Sequence, residues 1–188
     1  MDPGLTPSQT VGPFFEVGLT GKQSIGRVAG PEAAGERIFL TCRVLDADGV
    51  PVEDAMLEIW QADASGNYPS AKNSQRQEHA FRGFGRLGTA EDGRCIFETI
   101  KPGRVSGPEK VLQAPHVNLN LFARGLLKHL PTRIYFAGDP ANEEDPILGL
   151  VPEDRRATLM AQPDPGQSGA WYFEIHLGGD CETVFFDV

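Results

Sequence analysis

A basic stretch in an otherwise acidic chain is the first feature with an evident chemical use. The 188-residue sequence has a formal net charge of −9, yet residues 124–133 carry Arg124, Lys128, His129 and Arg133 and no acidic residue. A local cationic stretch on an anionic protein focuses its field toward an anionic ligand. A guanidinium is a planar donor for carboxylates and keeps its charge when partly buried. For Lys128, His129 and Arg133 a solvated strand end or an ion pair between chains is the favoured interpretation, because exposed charges usually contribute little.

Composition narrows the class of protein. The 17 basic and 26 acidic residues argue against a nucleic-acid or anionic-membrane partner, since both need a basic face. No apolar run approaches the roughly 20 residues of a membrane-spanning helix, and the N-terminus lacks the features of a signal peptide. Three dispersed cysteines, Cys42, Cys95 and Cys181, are typical of reduced, small buried side chains rather than of a disulfide framework. We therefore predict a cytoplasmic protein with no nucleic-acid and no membrane partner.

The elements that must position such side chains are mostly β-strands. Many short strands with turns between them are typical of a β-sandwich of antiparallel strands, here with long loops. One short helix is expected near 153–161, between Pro152 and Pro163. The first 35 residues, rich in glycine and proline, predict an extended, irregular N-terminal arm (residues 1–35), and residues 36–188 a single sandwich domain. The seven predicted strands are Arg37–Leu45, Ala55–Gln61, Arg94–Ile100, His116–Ala123, Thr132–Phe136, Trp171–Leu177 and Thr183–Phe186.

Two connections, Asn67–Thr89 and Lys101–Pro115, are long for a sandwich. Long loops on a rigid scaffold commonly carry function, because the scaffold holds them in place while their sequence varies. Composition and periodicity by themselves predict a β-sandwich with two loops of interest and no particular activity.

A series of short motifs is more specific. The motifs are Thr6–Phe15, Glu58–Asp63 with Gly66–Tyr68, Gly83–Arg86, Thr99–Gly103, Ala114–Asn118, Leu121–Gly125 and Glu182–Asp187. Any one motif is weak evidence, whereas several in the same order are strong. Taken in order along nearly the whole chain, they resemble the intradiol ring-cleavage dioxygenase family, and within it the α-type chain of the enzymes that cleave protocatechuate.

The resemblance implies a mononuclear non-haem Fe(III) bound by two tyrosines and two histidines. Phenolate is a hard anionic donor that suits ferric iron. The matching positions in this sequence are Tyr68, Val105, His116 and Asn118. Val105 has no donor atom and Asn118 has a neutral amide, so half of the donor set is missing and we expect no metal in this chain. Tyr68 and His116 are then vestigial ligand positions, hydrogen-bonded like other buried polar groups.

The resemblance also implies what such a chain contributes. An iron-bearing β-type partner chain would bind the Fe(III), and the two chains together would cleave protocatechuate with O2 to 3-carboxy-cis,cis-muconate, within a higher-order (αβ)n assembly. No catalytic residue is expected in this chain alone. Thr10, Gly12, Pro13 and Arg124 would line the substrate pocket between the chains. Thr10 offers a hydroxyl, Gly12 lets the backbone approach a ligand closely, and Pro13 fixes its own φ angle.

Two other interpretations stay open. The first is a self-sufficient catechol dioxygenase with an altered metal site, against which Val105 and Asn118 argue. The second is a β-sandwich scaffold without any catalytic connection, against which the arm and the Leu121–Gly125 motif argue weakly. The iron content of the lone chain and the activity of the pair would separate all three.

Overall fold

The computed structural model describes residues 7–69 and 80–187. Residues 1–6 of the predicted arm and residues 70–79 of the predicted Asn67–Thr89 loop lie outside this part. The elements are helix α1 (Pro13–Leu19) and strands β1 (Arg37–Leu45), β2 (Met56–Gln61), β3 (Phe84–Gly88), β4 (Arg94–Ile100), β5 (Val105–Ser106), β6 (Leu112–Gln113), β7 (His116–Phe122), β8 (Leu130–Phe136), β9 (Met160–Pro163) and β10 (Ala170–His176). Four 3-10 segments join them: Pro108–Lys110, Pro140–Glu144, Leu148–Leu150 and Glu153–Leu159.

Eight of the strands form one hydrogen-bonded sheet that folds over a common core. The strand order is β3-β2-β7-β8-β9-β10-β1-β4. Strand β9 joins the two layers, because it pairs parallel with β8 and antiparallel with β10. The predicted sandwich is confirmed, but β8–β9 and β1–β10 are parallel pairs, so the antiparallel prediction holds only for the other pairs in this sheet. Parallel neighbours need long crossovers. Residues 137–159 connect β8 to β9, and most of the chain lies between β1 and β10.

Alternating side chains fill the core from both layers. Strand β7 alternates as predicted, with its valine and leucines buried and Asn118 and Asn120 half-buried. Cys42 and Cys95 lie opposite each other on β1 and β4 and are buried as free thiols. The prediction of burial is wrong for Cys181, which is free but exposed. None of the helices in the described residues is long and apolar enough to cross a membrane.

The segment before β1 is tied to the sheet at both of its edges. Ile25 N–H donates to the Arg86 carbonyl of β3 at 2.7 Å, and Val28 N–H donates to the Glu98 carbonyl of β4 at 2.9 Å. Val28 is also buried in the main core. We call residues 25–28 the arm bridge, because they link the two edge strands that would otherwise present unpaired backbone groups.

A helix also interrupts the predicted irregular arm. Helix α1 begins at Pro13, where the missing proline N–H costs nothing because the first helical positions have no intrahelical partner. The sequence contained this signal, a proline followed by six residues without another proline, and the prediction of an irregular arm was wrong over this segment.

The predicted helix near 153–161 is a different structure. Glu153–Leu159 is a 3-10 segment, in which Arg155 N–H donates to the Pro152 carbonyl at 2.9 Å. The next two residues, Met160 and Ala161, belong to β9 and pair with β8. Pairing with the sheet has overridden the local helical preference.

The predicted strand Thr183–Phe186 is also wrong. Its hydrogen bonds go to different strands, since Thr183 N–H donates to the His176 carbonyl of β10 and Phe186 N–H donates to the Pro131 carbonyl of β8. No ladder forms, and the segment covers the end of the sandwich instead.

Strands inside the two predicted loops were missed. Strand β3 lies within the segment predicted as a loop, because its two glycines weaken the strand pattern. Within the Lys101–Pro115 connection, β5 and β6 form a two-residue pair, too short to show a periodicity.

Candidate functional site

The residues proposed to line a substrate pocket come together at the carboxyl end of β7. Arg124 follows that strand directly, and Gly125 takes a left-handed φ of 86° that turns the chain. The backbone N–H of Gly125 donates to Thr10 Oγ1 at 2.7 Å. The arm and the β7–β8 turn are therefore in contact, and Thr10 lies beside Arg124 although 114 positions separate them.

The arm continues from Thr10 into α1 at the same place. The Gly12 carbonyl accepts a hydrogen bond from Phe15 N–H at 3.0 Å, and the Phe15 ring packs against the Phe122 ring with centroids 5.6 Å apart. Among the residues that the structure describes, no atom lies within 4 Å of where a Cβ on Gly12 would stand. Packing within this part of the chain therefore does not require glycine at position 12.

A cavity of about 640 Å³ opens beside this contact. Val11 and Phe15 of the arm, Phe122 of β7 and Leu127 of the following turn form much of its wall, which is largely apolar. Thr10 and Arg124 are not among its lining residues. The candidate substrate wall is thus a neighbouring surface of the turn rather than this cavity.

Arg124 is held by a single carboxylate. Its Nε forms an ion pair with Asp54, whose side chain is 20% exposed, whereas the Arg124 side chain is 69% exposed. The guanidinium is therefore anchored at its base and open at its tip. Sequence reasoning missed Asp54, because no local pattern connects it with Arg124.

The remaining members of the basic stretch separate. Lys128 and His129 are exposed on the turn. Strand β8 carries Arg133 toward the other end of the sandwich, where its Nη1 donates to Gln113 Oε1 at 2.8 Å. The sequence run is therefore not one basic surface. Arg124 lies beside Thr10, Lys128 and His129 line the cavity together with arm residues, and Arg133 lies at the opposite end.

Three of the four vestigial ligand positions meet at that opposite end. Tyr68 follows the turn after β2, while His116 and Asn118 begin β7. Tyr68 Oη lies 3.4 Å from His116 Nε2 and accepts a hydrogen bond from Asn118 Nδ2 at 2.9 Å. The Trp60 ring stacks on the Tyr68 ring with centroids 5.9 Å apart. The motifs therefore identified a real cluster, but they did not identify Trp60, whose ring covers that of Tyr68.

The fourth position belongs to the same region. Val105 is buried and begins β5, and its backbone N lies 3.6 Å from the Cβ that Gly66 would carry. Gly66 has a φ of 81°, and that Cβ would also stand 1.9 Å from the Arg104 carbonyl oxygen. The turn before Tyr68 therefore packs directly on the strand that bears Val105, which supplies an alkyl group where a donor would be needed.

The hydrogen bonds fix the proton positions in this cluster. The Ala114 carbonyl lies 2.8 Å from His116 Nδ1, so Nδ1 carries the proton and Nε2 is the acceptor facing Tyr68. Burial, with the charge of Arg133 second, lowers the pKa of His116 from 6.5 to about 4. Burial also raises the pKa of Tyr68, opposed by the hydrogen bond from Asn118 and by Arg133. Imidazole and phenol are both neutral near pH 7.

This cluster does not fit a ferric ion. Two of the four donors that the resemblance implies are absent, since Val105 has an alkyl side chain and Asn118 a neutral amide, and the Arg133 guanidinium places a positive charge nearby. Across residues 7–69 and 80–187 no group of three or more His, Cys, Asp or Glu side chains could bind a metal. A metal site requires enough ligands of suitable types, and this cluster has neither the number nor the types that ferric iron needs.

A buried carboxylate supports the cluster from behind. Asp145 Oδ2 accepts a hydrogen bond from Ala114 N–H at 2.7 Å, and Oδ1 accepts from Tyr135 Oη at 3.1 Å and from Leu148 N–H at 2.8 Å. It thereby fixes the backbone that leads into His116. Sequence reasoning missed Asp145, because nothing in the pattern separates it from its acidic neighbours.

Comparison with known proteins agrees with this geometry. Residues 11–187 match the protein family described as Dioxygenase (Dioxygenase_C), and the chain belongs to that family, whose intradiol enzymes depend on non-haem iron. Among curated relatives, the protocatechuate 3,4-dioxygenase alpha chains of Burkholderia cepacia and Pseudomonas putida are 43% and 44% identical. The matches cover 97% of this chain in both cases, and 97% and 96% of those relatives.

A second kind of chain is also similar. The protocatechuate 3,4-dioxygenase beta chain of Burkholderia cepacia is 35% identical over 81% of this chain and 68% of its own length. Among solved structures, the dioxygenase domain of a carbohydrate-binding fusion protein from Streptomyces sp. SirexAA-E has a TM-score of 0.64 at 22% identity. That match covers 93% of this chain and 99% of the Streptomyces domain. It supports the assignment of the fold but not of an activity.

Proposed function

We propose that this chain is the α subunit of a protocatechuate 3,4-dioxygenase, which lines the substrate pocket of an iron-bearing β chain. The observation that carries the proposal is the division within the molecule. The vestigial cluster lacks donors at Val105 and Asn118, while at the other end Thr10 and Arg124 meet in a surface open to a partner. The similarity to alpha chains over nearly the full length supports the same assignment.

The division of labour follows from the chemistry. Protocatechuate is a catechol with a carboxylate, and iron in the β chain would bind the catechol oxygens and activate the ring toward O2. The Arg124 guanidinium would bind the carboxylate with charge-assisted hydrogen bonds. Thr10, Gly12 and Pro13 would form the adjacent wall and exclude water from the substrate. Binding of this kind promotes reaction by orienting the substrate rather than by transferring a proton.

The assembly and its compartment are part of the proposal. The β chain is the partner, protocatechuate and O2 are the substrates, and further αβ pairs would associate into an (αβ)n assembly. Exposed apolar side chains of α1, Phe14 at 86% and Val17 at 76%, give the arm a surface suited to a protein partner. A cytoplasmic location is supported by Cys42 and Cys95, which face each other yet remain free thiols.

Iron content and colour test the proposal. The chain is purified alone, its β partner alone, and the two after co-expression, and iron is measured together with visible absorption. Tyrosinate coordinated to Fe(III) gives a strong charge-transfer band. We expect the lone α chain to be colourless and iron-free, and the pair to be coloured and to consume O2 with protocatechuate.

The other interpretations give different results. Stoichiometric iron and turnover in the lone chain would establish a self-sufficient dioxygenase. A pair whose activity and KM equal those of the β chain alone would reduce this chain to a scaffold. Val105 and Asn118 argue against the first outcome, and the arm with the Leu121–Gly125 motif argues weakly against the second.

A further inference from the structure

The ends of β2 and β7 bring an acidic residue beside Arg124. Antiparallel pairing of β2 with β7 ends at Met56 and Phe122, and Asp54 and Arg124 lie two residues beyond these ends, in the turns next to the ladder. Asp54 Oδ2 forms an ion pair with Arg124 Nε. The paired strands therefore bring the two turns together, although neither residue belongs to the ladder itself.

The backbone beside Asp54 is itself anchored. Ala55 N–H donates to Thr89 Oγ1 at 3.0 Å, and Thr89 N–H donates to the Ala55 carbonyl at 2.8 Å. Ala55 is fully buried, and the Asp54 side chain is only 20% exposed. The carboxylate therefore occupies a fixed position, whereas the Arg124 side chain has the freedom that 69% exposure allows.

The ion pair uses one face of the guanidinium and leaves the other open. Within the described part of the chain, Arg124 Nε has Asp54 as its partner, and neither Nη1 nor Nη2 makes a hydrogen bond. Arginine binds carboxylates with two parallel N–H donors. With Nε engaged, the pair of donors still available is Nη1 and Nη2 at the tip of the side chain.

We propose that Asp54 is a positioning residue for substrate recognition, which holds Arg124 by Nε so that Nη1 and Nη2 meet the substrate carboxylate end-on. This inference rests on the proposed function and deepens it. A long exposed side chain loses rotamer freedom when it binds a ligand, and an anchor that removes this freedom beforehand strengthens binding. Thr10, bonded to Gly125, holds the turn on the other side of Arg124.

A competing role for Asp54 predicts the opposite change in KM. A carboxylate beside Arg124 could instead compete with the substrate carboxylate for the guanidinium, and its removal would then lower KM. Neutralising Asp54 therefore separates the two roles, because positioning and competition move KM in different directions.

The test uses Asp54→Asn in the co-expressed αβ pair. We expect KM for protocatechuate to rise about threefold to tenfold, with kcat within about twofold and iron content unchanged. KM for catechol, which has no carboxylate, stays at the wild-type value. Asp54→Glu, which keeps the charge, recovers part of the loss, and Asp54→Asn adds little to Arg124→Ala because the two act through one contact.

Glu144→Gln is the matched control, since Glu144 forms an ion pair with Arg104 at 3.2 Å at the other end of the β2–β7 ladder. It removes one carboxylate charge without touching Arg124, and KM should stay near wild type. An unchanged or lowered KM in Asp54→Asn, or an equal rise with catechol, overturns the positioning role while the wild-type pair stays active. An inactive, iron-free wild-type pair overturns the proposed function and this inference with it.

Discussion

Arg124 combines two properties that rarely occur together in a surface side chain. It is mostly exposed, yet an ion pair with Asp54 and a neighbouring backbone contact to Thr10 define where it lies. Exposed ion pairs contribute little to stability, because solvent screens them and ordering costs entropy. Under the proposed function the pair would matter for substrate recognition, where an ordered guanidinium binds a carboxylate more strongly than a freely rotating one.

Arg124→Ala in the αβ pair is expected to raise KM for protocatechuate about 10-fold to 100-fold. The reason is the loss of a charge-assisted hydrogen bond to the ligand, worth about 1.5–3 kcal/mol. Iron content and the visible band should not change, because the proposed function assigns the metal to the partner chain. Steady-state kinetics with protocatechuate, alongside metal analysis, check this.

Lys128→Ala is the companion variant, since Lys128 lies four residues further along the same basic stretch and is exposed. A much smaller effect on KM is expected there. If the two variants behaved alike, the general charge of the stretch would matter rather than Arg124, and Arg124 would lose its place at the substrate wall.

The sequence predicted some of these residues and could not predict others. Tyr68, His116 and Asn118 were recognised by motif, and they form a hydrogen-bonded cluster. Asp54 was missed, because its importance depends on a turn that is distant in sequence. The pairing of β2 with β7 brings the two turns together, and local pattern does not reveal that pairing.

Strand β3 shows how an element can be present without a sequence signal. Gly85 lies in the middle of it, and a Cβ there would stand 2.7 Å from Val28 Cγ2 and 2.9 Å from Phe97 Cδ1. The absence of a side chain is what lets the arm bridge and β4 pack closely against β3. A residue that weakens strand propensity is thus required by the tertiary structure.

Gly85→Ala is expected to destabilise the chain by about 1–3 kcal/mol, the range for overpacking of a close-packed core. The strain falls on Val28 and Phe97, neither of which can retreat, since both are buried. Urea unfolding followed by fluorescence gives the free energy of unfolding.

Gly149→Ala serves as the reference substitution, because no atom lies within 4 Å of its added Cβ. Its effect should stay within about 0.5 kcal/mol, the range of surface changes away from special features. Equal effects of the two substitutions would show that the arm bridge is not packed against β3 in solution.

Helix and strand predictions failed where the sheet competed with local preference. The segment around Met160 has helical start and stop signals, yet its last residues pair with β8 and β10 and join the layers. Strands with clear alternation, such as β1 and β7, were predicted well because one face of each is buried. Short strands joined by distant pairing leave no such pattern.

Acid affects the molecule as a whole in two opposing ways. The net charge of −9 shrinks as carboxylates take up protons, which relieves self-repulsion. Protonation of buried His116 has the opposite effect and destabilises the folded chain. Its folded pKa of about 4 lies below the ordinary 6.5, so the unfolded chain takes up this proton first as the pH falls. The contribution of His116 is present in full above pH 6.5 and is lost toward pH 4.

His116→Asn should therefore flatten the pH dependence of stability. Between pH 7 and 4.5 the wild-type chain is expected to lose about 2–3 kcal/mol more than the variant, because asparagine does not titrate in this range. Urea unfolding at several pH values measures this difference. His129→Asn, at an exposed histidine, shows what a histidine-to-asparagine change does at the surface, and a slope in His116→Asn as steep as in wild type would contradict the assignment.

The arm bridge has one more consequence. It bonds to β3 at Arg86 and to β4 at Glu98, and so covers part of both terminal strands of the sheet. Covered edge strands are less able to pair with a second chain and aggregate. Removing the arm bridge to simplify expression would therefore expose more of both edge strands, and the first effect would be aggregation rather than loss of activity.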